Sequence, residues 1–330
     1  MAVYNRLYTE DLWKSVNTVN KEYMEDFLME KRAEGKTDGT LYQYRSDCRY
    51  ILCYIALNLD NVEITTLSKK DFRRLTLTLK DECEMSSARV NRILSVLRTF
   101  LLYLEDDDDV DYERSAAAKI KGLPKEAVRD IVFIPNDVVI ALINKLDAEK
   151  RYEEATLAAL MFESGARRNE IRQVEKYSFY DDSKNATNIV IGKEQKKFRV
   201  LYFGLTKRCA KKYLDERGED KIPNLFVKCE AGEKVPASYE ALYEFVVRWR
   251  KDLLEITGED YNINPHSFRH SAFQCYSDGT HEALIEQGLD ALPIEKIKLI
   301  ARHNSAETTL SYLKDRGEEE LEDLFKIKIG

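Results

Sequence analysis

His303-Asn304-Ser305-Ala306-Glu307-Thr308-Thr309-Leu310-Ser311-Tyr312 sets a histidine nine positions before a tyrosine. Upstream stand His266-Ser267-Phe268-Arg269-His270 and, earlier still, Ser164-Gly165-Ala166-Arg167-Arg168-Asn169-Glu170. Two arginines, two histidines and one tyrosine suit a single task, holding a phosphodiester while a phenolate attacks it. Each residue alone is ordinary. Arg167 by itself reads as a surface ion-pair partner, Glu170 as structural, and one tyrosine among 19 as core or surface. Only the set points to chemistry.

The local spacing supports the set. Arg167 follows a Ser-Gly turn, and Glu170 shares its face if the chain is helical there. A guanidinium offers a rigid fork of donors matched to two phosphate oxygens. His266 and Arg269 lie one helical turn apart and can face one ligand, with Pro265 suited to the first turn. Arg269 is a second clamp and His266 a proton acceptor. His270 is expected to face elsewhere on this helix and to pack. A free phenol titrates near ~10, so Tyr312 needs nearby positive charge, expected from Arg167, Arg269 and His303.

Composition sets the frame. A chain of 330 residues has room for two domains, and 44% hydrophobic with 34% charged residues is the profile of a soluble, helix-rich protein. No apolar run approaches a membrane span, and Met1 opens no secretory signal. The six cysteines are scattered without a CxxC pair, which argues against a zinc site or a disulfide framework and for a reducing interior. The net charge of −7 speaks against a polyanionic partner, but it is segregated. Residues 193–212 carry eight basic side chains against one acidic, whereas Glu105–Asp109 contributes −5 and residues 315–323 hold six acids against one arginine.

Residues 1–17 are expected to be an ordered arm or a loose tail. Helices are predicted from about Lys21 to Lys36, after a cap at Thr40, after Ser68, and after Ser86-Ser87. The second carries a stripe of Leu41, Tyr44, Cys48, Ile51, Leu52 and Ile55, and the last buries Val90, Ile93, Leu94, Leu97, Leu101 and Leu104. These form an all-α bundle over residues 18–109. Residues 110–131 read as a linker that supplies reach rather than core. A second domain, 132–314, opens with a helix at Pro135-Asn136-Asp137 and a longer apolar helix from Tyr152 to Ser164. Asn188–Gly192 and Phe198–Phe203 then form a hairpin with a basic tip, and helices follow to Leu313. The fold class is mainly α (α+β), with one small β-sheet.

Taken together the segments resemble the tyrosine recombinase (phage integrase) family. Its first arginine box, usually threonine-glycine-leucine-arginine with a glutamate three residues on, corresponds to Ser164–Glu170. Its histidine-x-x-arginine box corresponds to His266–Arg269, and its glycine-histidine box with the ninth-following tyrosine to Arg302–Tyr312. Gly192–Lys197 resembles the family's glycine-lysine turn. Thr40–Tyr44 and Ser87–Arg92 resemble its core-binding domain. Arg302 departs from the usual glycine, Ala166 from leucine and Ser164 from threonine.

The resemblance implies a DNA strand-cleaving and rejoining enzyme that needs no metal or other cofactor. Tyr312 would attack the scissile phosphate to give a 3′-phosphotyrosyl link. Arg167 and Arg269 would hold the non-bridging oxygens, Lys193 would protonate the leaving 5′ oxygen, with Lys196 and Lys197 as rivals. His266 would be the base, His303 would hydrogen-bond the phosphate, and Glu170 would orient the set. The implied partner is double-stranded DNA carrying recombination sites, gripped by a C-shaped clamp with Arg89 and Arg92 on phosphate or base edges. A homo-tetramer on paired sites, a cytoplasmic setting and no membrane role follow from the same likeness. The tail 315–330 resembles a helix that docks on a neighbouring protomer through Leu321, Leu324 and Phe325. The alternatives are a topoisomerase IB or telomere resolvase, and a non-catalytic DNA-binding relative.

Overall fold

A computed structural model describes residues 7–112, 116, 120–124, 131–313 and 326. The chain divides into two compact units, Met1–Asp130 and Ile131–Gly330.

The first unit is all helical among its described residues. Helices α1 (Glu10–Ser15), α2 (Thr18–Ala33), α3 (Asp38–Asn58), α4 (Lys69–Leu77) and α5 (Ser87–Asp106) surround one core. Small polar residues start them. Thr37, rather than Thr40, caps α3 by accepting from the Thr40 amide, and Ser68 with Asp71 forms a capping box on α4. The apolar stripe of α3 and the buried face of α5 meet as their spacing requires, with Cys48, Ile51, Leu52, Val90, Ile93 and Leu97 buried.

Residues 7–17 are an ordered arm, not a loose tail. Leu7 and Val16 are buried in the bundle core, and the Arg49 guanidinium lies 5.1 Å from the Trp13 ring and 5.6 Å from that of Tyr8. Nor is the start of the 110–131 segment simply reach. Tyr112 and Ile120 are buried in the same core. Asn91 also clips Leu123, donating to its carbonyl at 2.9 Å and accepting from its amide at 2.7 Å.

Arg89 and Arg92 also find a structural partner. Asp47 of α3 is fully buried, and Arg89 Nη1 and Arg92 Nε lie 2.5 and 3.3 Å from its carboxylate. Arg89 is mostly buried, so its charge is balanced largely within the bundle. Arg92 remains half exposed.

In the second unit, α6 (Asn136–Ala148), α7 (Tyr152–Ser164), α8 (Arg168–Ile171), the hairpin β1 (Ala186–Ile191)–β2 (Lys197–Leu201) and α9 (Gly204–Arg217) come first. A second hairpin, β3 (Val227–Glu230)–β4 (Glu233–Pro236), precedes α10 (Tyr239–Thr257), α11 (Pro265–Asp278), α12 (Glu282–Gln287), α13 (Ile294–Ala301) and α14 (Ala306–Leu310). Both sheets are two-stranded and antiparallel, so two small sheets stand where one was expected. Helix α7 is the axis. Every residue from Glu154 to Ser164 is buried, because α6, α9 and α11 pack around it. Its Glu163 carboxylate accepts from the Phe203, Leu205 and Thr206 amides, capping α9 and tying the end of the first hairpin to α7. Among the described residues no helix is long and apolar enough to cross a membrane. The tail positions Leu321, Leu324 and Phe325 lie outside the described residues.

Replacing Asp47 with alanine would strand Arg89 in the core. We expect a loss of about 3 kcal/mol in urea unfolding, the scale for breaking a buried pair; a loss under about 1 kcal/mol would contradict a buried ionic contact.

Candidate active site

Helix α7 ends because Gly165 takes a left-handed conformation (φ 57°), and a Cβ there would sit 2.5 Å from the Phe273 ring. Glycine is therefore required both by the backbone and by the packing of α11. The turn delivers Arg167 to the start of α8, where Glu170 receives it twice. One carboxylate oxygen accepts from the Arg167 amide at 2.8 Å and the other from its Nη1 at 3.1 Å. Glu170 is buried, so this orients the arginine and leaves part of its guanidinium open.

Helix α11 starts with Asn264 as cap and Pro265 in its first turn. It carries Arg269, only 1% exposed, into the interior. The guanidinium has neutral acceptors only: Nη1 donates to the Gly165 carbonyl, and Nη2 to the Ala301 carbonyl at 2.8 Å and to His303 Nε2 at 2.8 Å. Nε is buried with no hydrogen-bond partner among the described residues. Burial and the nearby Arg167 charge push the Arg269 pKa down to about 10, so it stays cationic at neutral pH.

His303 lies between Arg269 and Thr309, whose Oγ1 is 3.0 Å from Nδ1. Because Nε2 faces an arginine donor it must accept, which puts the ring proton on Nδ1, toward Thr309. Burial, Arg269 and Arg167 push the pKa down to about 4. In this arrangement His303 Nε2 is occupied by Arg269, and the depressed pKa works against the positive charge expected of it beside the tyrosine.

Tyr312 is half buried. Its ring stacks on His270 (centroids 4.4 Å apart, 26° between planes), with His303 at 5.0 Å, Phe273 at 5.7 Å and the Arg269 guanidinium at 5.1 Å. His270 Nδ1 lies 3.2 Å from the Tyr312 carbonyl oxygen. Besides His303, the tyrosine ring thus touches His270, which had been expected to face elsewhere. His270 lies four residues after His266, and that spacing on one helix face was the available signal. His266 is exposed, yet partial desolvation and the Arg269, Arg167 and Arg168 charges lower its pKa. Among the described residues no hydrogen bond joins His266 to Tyr312.

Lys193 sits at the tip of the first hairpin, on the rim of a cavity of about 110 Å³ that Arg167, Glu170, Lys196, Arg302 and His303 also line. Lys196 is bound by Asn304, while Lys197 pairs with Ile191 at the outset of β2 and does not line the cavity. Arg302 takes the left-handed conformation (φ 54°) that closes α13, which explains why glycine suits this position. Its side chain brings a further cation to the rim. Among the described residues no group of three or more His, Cys, Asp or Glu could hold a metal ion.

Comparison with known proteins gives the family. The chain belongs to the phage integrase family, whose model matches residues 133–319. It is similar to the SPbeta prophage-derived recombinase-like protein YomM of Bacillus subtilis (strain 168), 26% identical over 333 residues, spanning 96% of this chain and 94% of that protein. A tyrosine recombinase of Thermosipho africanus (strain TCF52B) is 25% identical over 312 residues, 93% of this chain and 98% of its own. The fold is similar to that of lambda integrase, seen as a dimer bound to a COC′ core site and as a tetramer bound to a Holliday junction. Both superpose with a TM-score of 0.66 at 14% identity over 90% of this chain, covering 96% and 78% of theirs. The protein is accordingly a DNA strand-cleaving and rejoining enzyme of the recombinase class.

Because the His303 pKa is depressed, the stability its neutral form confers is complete above about pH 6.5 and is lost progressively as pH falls from there to about 4. We expect His303→Asn to shrink the fall in unfolding free energy between pH 7 and pH 4 by about 3 kcal/mol. Parallel pH curves for the two proteins would refute the assigned neutral ring.

Proposed function

We propose that the protein is an integrase-type, site-specific recombinase in which Tyr312 cleaves duplex DNA and holds it as a 3′-phosphotyrosyl intermediate. The observation that carries the reading is the Arg269 guanidinium. It is buried, has only neutral acceptors, keeps one N–H unpartnered, and lies against the Tyr312 ring beside Arg167. A buried cation without an anion is unfavourable until one arrives, and a phosphodiester supplies that anion next to a phenol.

In the step so assigned, Tyr312 Oη bonds to phosphorus and the P–O5′ bond breaks. The phenolic proton passes to His266, whose lowered pKa keeps it an acceptor at neutral pH. Lys193 gives a proton to the departing 5′ oxygen. Arg167 and Arg269 stabilise the charge gathering on the non-bridging oxygens, with Glu170 fixing the first and His303 the second. His270 steadies the tyrosine ring by stacking. Attack by a 5′-hydroxyl reverses the step and expels Tyr312, so the phosphodiester energy is conserved. No residue role requires a metal or nucleotide.

Joining two sites requires several active protomers, and the lambda integrase tetramer on a Holliday junction supports a homo-tetramer on paired sites here. The same reading puts Arg92, Lys196 and Lys197 near the DNA backbone, makes residues 315–330 a contact between protomers, and sets the work in the cytoplasm, on DNA.

Tyr312→Phe should bind its DNA with unchanged affinity and form no covalent adduct with a nicked suicide substrate on a denaturing gel. A surviving adduct would assign the nucleophile elsewhere. Cleavage should also continue undiminished in excess EDTA; loss of activity that magnesium restores would refute a purely side-chain mechanism.

A further inference from the structure

The side chains on either side of His303 bind the first hairpin, whereas His303 itself binds Arg269 and Thr309. Arg302 donates to the Arg199 carbonyl of β2 and lies with its guanidinium 4.0 Å from the Phe198 ring centre. That ring is packed on Gly192, where a Cβ would come within 2.6 Å of it. Gly192 in turn donates to the Lys196 carbonyl at 2.8 Å, closing the tip that carries Lys193. From the other side, Asn304 accepts from Lys196 Nζ and donates to Glu194 at 3.2 Å.

Gln173 grips the hairpin at Ile191, donating to its carbonyl and accepting from its amide, both at 2.9 Å, but the tip beyond is left to the contacts from Arg302 and Asn304. Glu194 and Gln195 both have left-handed backbones (φ 59° and 58°), and the hairpin belongs to a sheet of only two strands. Lys193 is exposed, and among the described residues no hydrogen bond or ion pair holds its Nζ, so its placement depends on where the tip is held.

We infer that Arg302 and Asn304 are positioning residues that clasp the hairpin to the His303 loop and so hold Lys193 at the leaving 5′ oxygen. The inference rests on the reading of Lys193 as the acid. It assigns a use to Arg302, the residue standing where glycine suits the backbone, and to Asn304, and makes both act on one half of the reaction. Bond formation from Tyr312 to phosphorus should be nearly indifferent to the clasp. Departure of O5′, which needs the proton from Lys193, should depend on it.

The test is single-turnover cleavage of a nicked duplex by Arg302→Gly, Asn304→Ala and Lys193→Ala, with oxygen or sulfur as the bridging 5′ atom at the scissile link. Sulfur leaves as a thiolate and needs no proton. On the oxygen substrate we expect Arg302→Gly to be slower by roughly 10- to 100-fold, and Asn304→Ala less so, both within the range of a mispositioned general acid. On the sulfur substrate both should come within about 3-fold of the unmodified protein, as should Lys193→Ala. Arg302→Gly relieves a left-handed backbone and Asn304 is exposed, so both variants should fold, as thermal unfolding would verify. If Lys193→Ala is rescued by sulfur while the clasp variants are equally slow on both substrates, the clasp is refuted and the acid stands. If Lys193→Ala is not rescued, the assignment of the acid falls and this inference with it.

Discussion

The burial of the Arg269 guanidinium is the constraint around which the second unit is arranged. A cation excluded from water must be met by acceptors, and here they come from the ends of two helices and from the His303 ring: Gly165, Ala301 and His303. These segments lie far apart in the chain, so the arginine can be satisfied only if α7, α11 and α13 are packed in register. Apolar burial along α7 provides the packing, and Glu163 fastens Phe203, just after β2, and the start of α9 to the same axis. Using neutral acceptors where a carboxylate would satisfy the charge better leaves the cation competent for an incoming anion.

The same economy of charge governs the histidines. Burial and nearby guanidiniums lower the pKa of His266, His270 and His303, so none adds a positive charge at neutral pH. Positive charge in the cavity therefore belongs to arginine and lysine. The histidines contribute shape and hydrogen-bond direction: a stacking surface for Tyr312, a fixed tautomer beside Arg269, and an exposed acceptor at the head of α11.

Much of this was legible in the sequence. Amphipathic periodicity located α3 and α5, the unbroken apolar run located α7, and the Ser-Gly turn before Arg167 marked where that helix stops. The boxes named the residues that meet at Arg269, because each depends on short spacing within one element. What escaped notice depends on partners distant in sequence. Arg89 looks the same as a DNA contact or as an ion-pair partner until Asp47 is found beneath it. Leu7 and Val16 are isolated apolar residues with no period to reveal that they are core. The β3–β4 hairpin is too short and too charged to stand out. Arg302 could be seen as a departure from glycine, but not that its side chain reaches across to β2.

That last residue has a wider meaning. A non-glycine residue in the left-handed region carries a strain of roughly 1 kcal/mol, which glycine would relieve at once. Arg302 is in this sense locally frustrated: what the backbone prefers and what the site uses are different amino acids. Substitutions there should trade folding stability against turnover in opposite directions. Directed evolution for heat resistance alone would then drift toward glycine and yield a sturdier, slower enzyme.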